Sequence, residues 1–119
     1  MNWLEHLSST VRQGAVEVSP GASNEVGFPP RLARAAIDEL TRGGLAILGG
    51  DIWTTANPPR PTHLNWYIQR TSQPWDEFVE EARTAAAAAI ERLAREGDHL
   101  VVLVAASEGE QTRLRQSTS

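Results

Sequence analysis

Four consecutive apolar residues, Leu45-Ala46-Ile47-Leu48, stand between two glycine pairs, Gly43-Gly44 and Gly49-Gly50. A run this short does not make a helix of its own. Lacking polar alternation, it predicts a strand covered on both faces, the central strand of a sheet. Gly43-Gly44 stops the helix that leads into it, because glycine accepts the left-handed backbone of a helix C-cap. Gly49-Gly50, continuing into Asp51-Ile52-Trp53, predicts a bulge or a close approach of backbone. A second fully apolar segment, 100–106, competes for the centre. In 64–69, Leu64, Trp66 and Ile68 alternate with Asn65, Tyr67 and Gln69, which predicts an edge strand with one polar, aromatic outer face.

Two main helices flank these strands. Over 30–42, Pro29 and Pro30 suit the helix start, and Leu32, Ala33, Ala36, Ile37 and Leu40 form one apolar stripe. Over 74–96, Pro74 and an acidic first stretch (Asp76, Glu77, Glu80, Glu81) suit the N-terminus, and Phe78, Val79, Ala82, Ala86, Ala89, Ile90 and Leu93 form the stripe. The alanine run 85–89 leaves room for a close helix-on-sheet approach. A short helix over 2–13, capped by Asn2 with Glu5 at its third position, precedes them. Residues 19–30 read as mostly loop. The proline-rich stretch 54–63 reads as an extended surface connection. The expected fold is therefore α+β, a mixed three-stranded sheet packed on two main helices, forming one domain over 1–106 with a flexible polar tail at 107–119.

The 119-residue chain is 40% hydrophobic and 22% charged, ordinary values for a folded domain rather than a disordered or fibrous one. With no cysteine, disulfide, thiol and zinc-thiolate chemistry are excluded. The net charge of −4 disfavours nucleic-acid binding, which usually needs a basic patch, and implies that a partner, if charged, is basic. The sequence holds no apolar run of membrane-spanning length and no secretory leader, so a cytoplasmic location without membrane association is expected. It leaves the oligomeric state open.

Few residues offer chemistry. No nucleotide-binding glycine loop or nucleophile elbow occurs, and His6, His63 and His99 share no metal-ligand spacing, so neither a cofactor nor a metal is expected. Asp51, at a strand end behind two glycines, suits either a base or cation ligand, or a local role accepting backbone N–H groups and fixing the bend. The local role is the preferred reading, with Gly49, Gly50 and Asp51 as a structural motif that aims Trp53. The acidic stretch 76–81 reads first as a helix-capping turn. Of four tryptophans, Trp66 faces the core, Trp3 and Trp75 suit hydrophobic staples, and Trp53 enters the proline loop half exposed. An enzymatic alternative, a small hydrolase or lyase, requires Asp51 and His63 within hydrogen-bond reach; a structural assembly subunit is the other alternative.

Several segments together resemble one family: Ser19-Pro20-Gly21, Glu25, the helix from Leu32 to Leu40, the segment from Leu45 through Gly49-Gly50-Asp51 to Trp53, Asn65-Trp66-Tyr67, and Phe78-Val79 with Arg83-Thr84 and Ile90. Over about residues 14–104 the chain resembles immunity protein 40 of bacterial polymorphic toxin systems, with Ile47-Leu48-Gly49-Gly50-Asp51 the most specific element. The resemblance implies a non-enzymatic protein that protects its own cell by binding and occluding a co-encoded protein toxin, with no catalytic residue to carry over. The expected toxin-binding surface comprises Trp53, the 54–63 loop, and Asn65, Tyr67 and Gln69 on the outer strand face, because proline pre-orders a loop and tryptophan and tyrosine are enriched in binding hot spots.

Overall fold

The glycine-bounded apolar run is the middle strand of the sheet. The computed structural model describes residues 3–18 and 25–111. In chain order it contains a 3-10 turn at Trp3–His6, α1 (Ser9–Gln13), β1 (Val16–Glu17), β2 (Val26–Gly27), α2 (Pro30–Arg42), β3 (Ala46–Thr54), β4 (Pro61–Tyr67), α3 (Trp75–Leu93) and β5 (His99–Ala106). β3 lies between β4 and β5, and β1 pairs with β2 in a separate two-stranded sheet. The α+β class holds, with the alternating segment at an edge. The main sheet, however, is antiparallel throughout rather than mixed. A short connection forces β4 to run against β3. The crossover through α3 then returns the chain parallel to β4, but β3 already occupies the slot between them.

Local chemistry sets the ends of the elements. Leu45 N–H donates to the Leu40 carbonyl at 3.0 Å and Gly44 N–H to that of Thr41 at 3.0 Å, with Gly44 at φ 83°. This is a Schellman cap, and its apolar partners Leu40 and Leu45 are both buried in the core. α2 has no side-chain cap of its own. The free N–H of Arg31 in its first turn instead donates to the Glu96 carboxylate, which arrives from beyond α3. α3 ends at Leu93, short of the expected 96, because Ala94 is extended and the left-handed Gly97 lies within the following turn. There the His99 ring accepts the Arg95 N–H at 3.0 Å.

The N-terminal segment departs from the single helix expected over 2–13. It breaks at Leu7, and Ser8 caps α1 by accepting the Val11 N–H; Asn2 and the 19–21 turn lie outside the described residues. The strand pair β1–β2 was not legible in the sequence, since two-residue strands carry almost no periodic signal. Residues 107–111, expected to open a flexible tail, begin instead with a capped helical turn: Glu110 N–H donates to Ser107 Oγ at 3.2 Å, and Ser107 N–H donates back to the Glu110 carboxylate at 2.9 Å.

Residues opposite one another in the ladder share a face. Gly50, Trp66 and Leu103 form one inward row, and Ile52 with Val101 the next. These join Ile37 and Leu40 of α2 and Ala86, Ala89 and Ile90 of α3 in the main core. Ala82, Ala86 and Ala89 of α3 are at most 1% exposed, so the helix sits close on its neighbours along this small-residue face, whereas Ala88 faces solvent. On the outer face, Val18 beside β1 packs on Leu100 and Val102 of β5. Phe28, just after β2, exchanges backbone hydrogen bonds with Val101 at 2.9 and 2.8 Å. That arm covers the β5 half of the outer face and leaves the β3–β4 half open.

Gly49 and Gly50 are where the strands come closest. A Cβ on Gly50 would lie 2.4 Å from the Trp66 ring and 2.9 Å from the Val102 carbonyl oxygen. On Gly49 it would lie 2.3 Å from both the Tyr67 ring and the Trp66 carbonyl oxygen. Two consecutive aromatics of β4 therefore cover two consecutive glycines of β3, one on each face. Gly43, by contrast, has no neighbour nearer than 3.4 Å. Gly49→Ala and Gly50→Ala are each expected to lower unfolding free energy by about 1–3 kcal/mol through overpacking, whereas Gly43→Ala should stay within about 0.5 kcal/mol of wild type. Urea denaturation of the three variants checks this; equal midpoints would contradict the close approach.

Candidate functional site

The outer face of the sheet is built from three rows. Gly49, Tyr67 and Val104 form one, Asp51, Asn65 and Val102 the next, and Trp53 stands opposite Pro61 and Leu100. Period-2 alternation places these side chains on one side of the sheet. Tyr67 is 57% exposed and Val104 37%, while Val102 is only 6% exposed beneath the arm. Trp53 is half-buried, its ring packed against the Val18–Leu100–Val102 cluster.

Beyond Asp51 the ladder breaks. Asp51 pairs with Asn65 and Trp53 with Pro61, so β4 spends three residues where β3 spends one. Thr62 holds this bulge: its hydroxyl donates to the Ile52 carbonyl at 2.8 Å and accepts the Leu64 N–H at 3.1 Å. His63, at the crest, has φ 76°, a left-handed conformation that histidine tolerates better than most side chains. The displaced strand opens a depression of about 300 Å³ lined by Asp51, Ile52, Trp53, Pro61, His63, Leu64 and Asn65. The same distortion leaves Leu64 43% exposed. Leu64 is thus not the inward residue that alternation predicts, because the bulge carries it off the regular ladder.

The loop from β3 to β4 is shorter than the expected 54–63 connection, with Pro61, Thr62 and His63 already in the strand. Thr54 Oγ1 accepts the N–H groups of Ala56 and Arg60, and Thr55 donates its hydroxyl to the Gly97 carbonyl at 3.1 Å. The loop is therefore anchored to the turn before β5. It contains a cis peptide bond between Asn57 and Pro58.

The sequence suggests that Asp51 fixes the bend by accepting backbone N–H groups, but among the described residues its carboxylate accepts from a side chain instead. Its Oδ1 accepts the Tyr67 hydroxyl at 3.1 Å, a diagonal contact across the two strands. The carboxylate and the ring that covers Gly49 are thus one unit. Partial burial, then the hydrogen bond to Asp51 and its negative charge, hold the Tyr67 phenol above its ordinary pKa of 10.0. No hydrogen bond joins Asp51 to His63 among the described residues, although both line the depression.

Of the residues singled out in the sequence, Trp53, Asn65 and Asp51 meet in the depression, and Tyr67 is tied to it through Asp51. Gln69 lies past the end of β4 and does not line it. His63, the last residue of the 54–63 connection expected on this surface, also lines the depression, whereas Leu64 was missed as a surface-forming residue; the one available signal was the density of prolines just before it. The tryptophans at the helix starts are structural. Trp3 packs against Phe28 with ring centroids 6.3 Å apart, and Trp75 donates its indole N–H to the Gly44 carbonyl at 2.9 Å under the Arg70 guanidinium. The acidic stretch of α3 is largely engaged locally, Glu81 accepting from Gln73 and Glu80 pairing with Arg83 at 3.1 Å. Among the described residues no group of three or more histidine, aspartate or glutamate side chains is arranged to hold a metal ion, and no helix is long and apolar enough to cross a membrane.

The family model described as Immunity protein 40 matches residues 16–105, about three quarters of the chain and the whole of the sheet save its last residue. No curated protein and no solved structure matches it.

Because Tyr67 is the single tyrosine, alkaline titration of the phenolate absorbance reads it alone. The midpoint should lie above 10.0 and fall back toward it in Asp51→Asn. With the folded-state pKa raised, the contribution of this group is fully present below the unfolded-state value and is lost as pH rises through the folded one. A midpoint identical in the two proteins would remove Asp51 from the account.

Proposed function

This chain belongs to the immunity protein 40 family, and we propose that it neutralises a co-encoded protein toxin by binding and occluding it, in the cytoplasm and without catalysis. One observation carries this reading: the half of the outer face left open by the arm displays Tyr67, Leu64 and Trp53 around a polar depression, where a folded domain would ordinarily bury such side chains or replace them with charge. The surface is also pre-ordered. Thr62, Thr54 and Thr55 hold its bulge and loop with hydrogen bonds, so little ordering entropy is lost when a partner docks.

The net charge of −4 speeds encounter with a basic toxin by electrostatic steering. A specific complex requires burial of roughly 1,200–2,000 Å² in total, which this face and its adjoining loop can supply. The hydrolase or lyase alternative gains no support from the geometry. Asp51 is engaged by Tyr67 rather than by His63, and no carboxylate orients the His63 ring among the described residues.

The test is affinity for the toxin encoded beside this protein. Tyr67→Ala and Trp53→Ala should each weaken binding by about 2 kcal/mol or more as hot-spot losses. Leu64→Asn removes exposed apolar surface without opening the core and should weaken binding in the same direction. Trp66→Ala serves as the stability control, costing about 3–5 kcal/mol of folding free energy as a large-to-small core change. Wild-type affinity in Tyr67→Ala, Trp53→Ala and Leu64→Asn together would place the docking surface elsewhere.

A further inference from the structure

We propose that the depression at the β3–β4 bulge receives a single arginine side chain of the toxin, with Asp51 as its counter-ion. The proposal rests on the docking surface argued above and names the chemistry it recognises. Asp51 is half-buried at the rim between strands, and only Oδ1 is engaged, by Tyr67; Oδ2 has no hydrogen-bond partner among the described residues. A carboxylate with one oxygen held and the other open is pre-oriented, so an incoming cation meets an acceptor that need not be ordered first.

The walls favour a guanidinium over other cations. Trp53 supplies an aromatic wall on which a planar cation stacks, and the exposed Asn65 adds an amide acceptor beside Asp51. Arginine bonds a carboxylate with directed, parallel donors and is weakly hydrated, so it loses less than an ammonium on entering a partly closed site. The volume of about 300 Å³ accommodates one such side chain and no large ligand. The charged or titratable groups that line it are Asp51 and His63. His63 adds no negative charge, which leaves Asp51 as the single anionic anchor and predicts a contact that is lost with that one carboxylate.

The probe is the blocked peptide acetyl-Gly-Arg-Gly-amide, titrated into the protein while indole and side-chain amide resonances are followed by NMR. Its citrulline counterpart, of nearly the same shape but neutral, is the control. The arginine peptide should shift the Trp53 indole and Asn65 amide signals with half-saturation on the order of millimolar, a single-contact affinity. Citrulline should not, and Asp51→Asn should abolish the effect, while Asp76→Asn, which removes the same charge from α3, should leave it intact. Equal shifts with citrulline, or no shift with arginine at tens of millimolar, overturns the proposal and leaves the docking surface standing if Tyr67→Ala and Leu64→Asn still weaken toxin binding. Conversely, wild-type toxin affinity in those variants and in Asp51→Asn, alongside arginine-peptide binding, removes the docking surface itself and with it the toxin as the source of the arginine.

Discussion

Two aromatic rings lying over two glycines hold this sheet in its shape. On β3, Gly49 and Gly50 point to opposite faces, and the paired residues Tyr67 and Trp66 of β4 lay their rings over them. A glycine in a strand gives up side-chain packing and conformational entropy. Here the missing side chains are replaced from the neighbouring strand. Trp66 fills the inward space and joins the core beneath α2 and α3. Its indole N–H is buried with no acceptor among the described residues, a cost of about 1–3 kcal/mol that its large apolar contact must offset. Tyr67 fills the outward space but stays more than half exposed.

Much of the surface chemistry follows from that difference between the two faces. Since Tyr67 is fixed on Gly49 by van der Waals contact, its hydroxyl reaches Asp51 rather than solvent alone. A carboxylate in a strand, poorly suited to that position by intrinsic preference, thereby gains a partner. The bulge at Thr62 and His63 then turns the rest of β4 away from the ladder, which opens the depression and brings Leu64 to the surface. Bulges re-aim side chains in this manner. The bulge also interrupts the edge strand, which limits unwanted pairing with other chains.

The arm formed by β1, β2 and Phe28 decides how much of the face remains open. It shields Leu100 and Val102, so the apolar half of the outer face becomes a second small core. What is left exposes Tyr67, Leu64 and Val104 beside a few polar groups, with Trp53 half-buried at the boundary of the arm. The arm is held by the Phe28–Val101 backbone pair and the Val18 contacts, while distant carboxylates tie the helices: Glu39 accepts from both the N–H and the hydroxyl of Ser8, and Glu96 accepts the Arg31 N–H. Surface ion pairs such as Arg83 with Asp38 at 3.8 Å add little to them.

Periodicity and punctuation made most of the elements legible. Pro29-Pro30 and Gly43-Gly44 bracket α2 at its observed limits, and the apolar runs at 45–48 and 100–106 mark the two strands that are covered on both faces for most of their length. These signals are local: a proline without an N–H, a glycine free to adopt positive φ, a run with no polar face. The outward side of Tyr67 and the inward side of Trp66 followed from alternation alone, as did the edge position of β4. Register, by contrast, is a tertiary choice. That Gly49 meets Tyr67, that Asp51 is answered by a phenol rather than by backbone, and that Leu64 leaves the core all depend on how β4 slides against β3. So do the antiparallel return of β5 and the two-residue strands of the arm, which packs over Leu100 and Val102. A sequence records which side chains seek burial; which of them run out of neighbours and stay exposed is settled only when the strands have found their register.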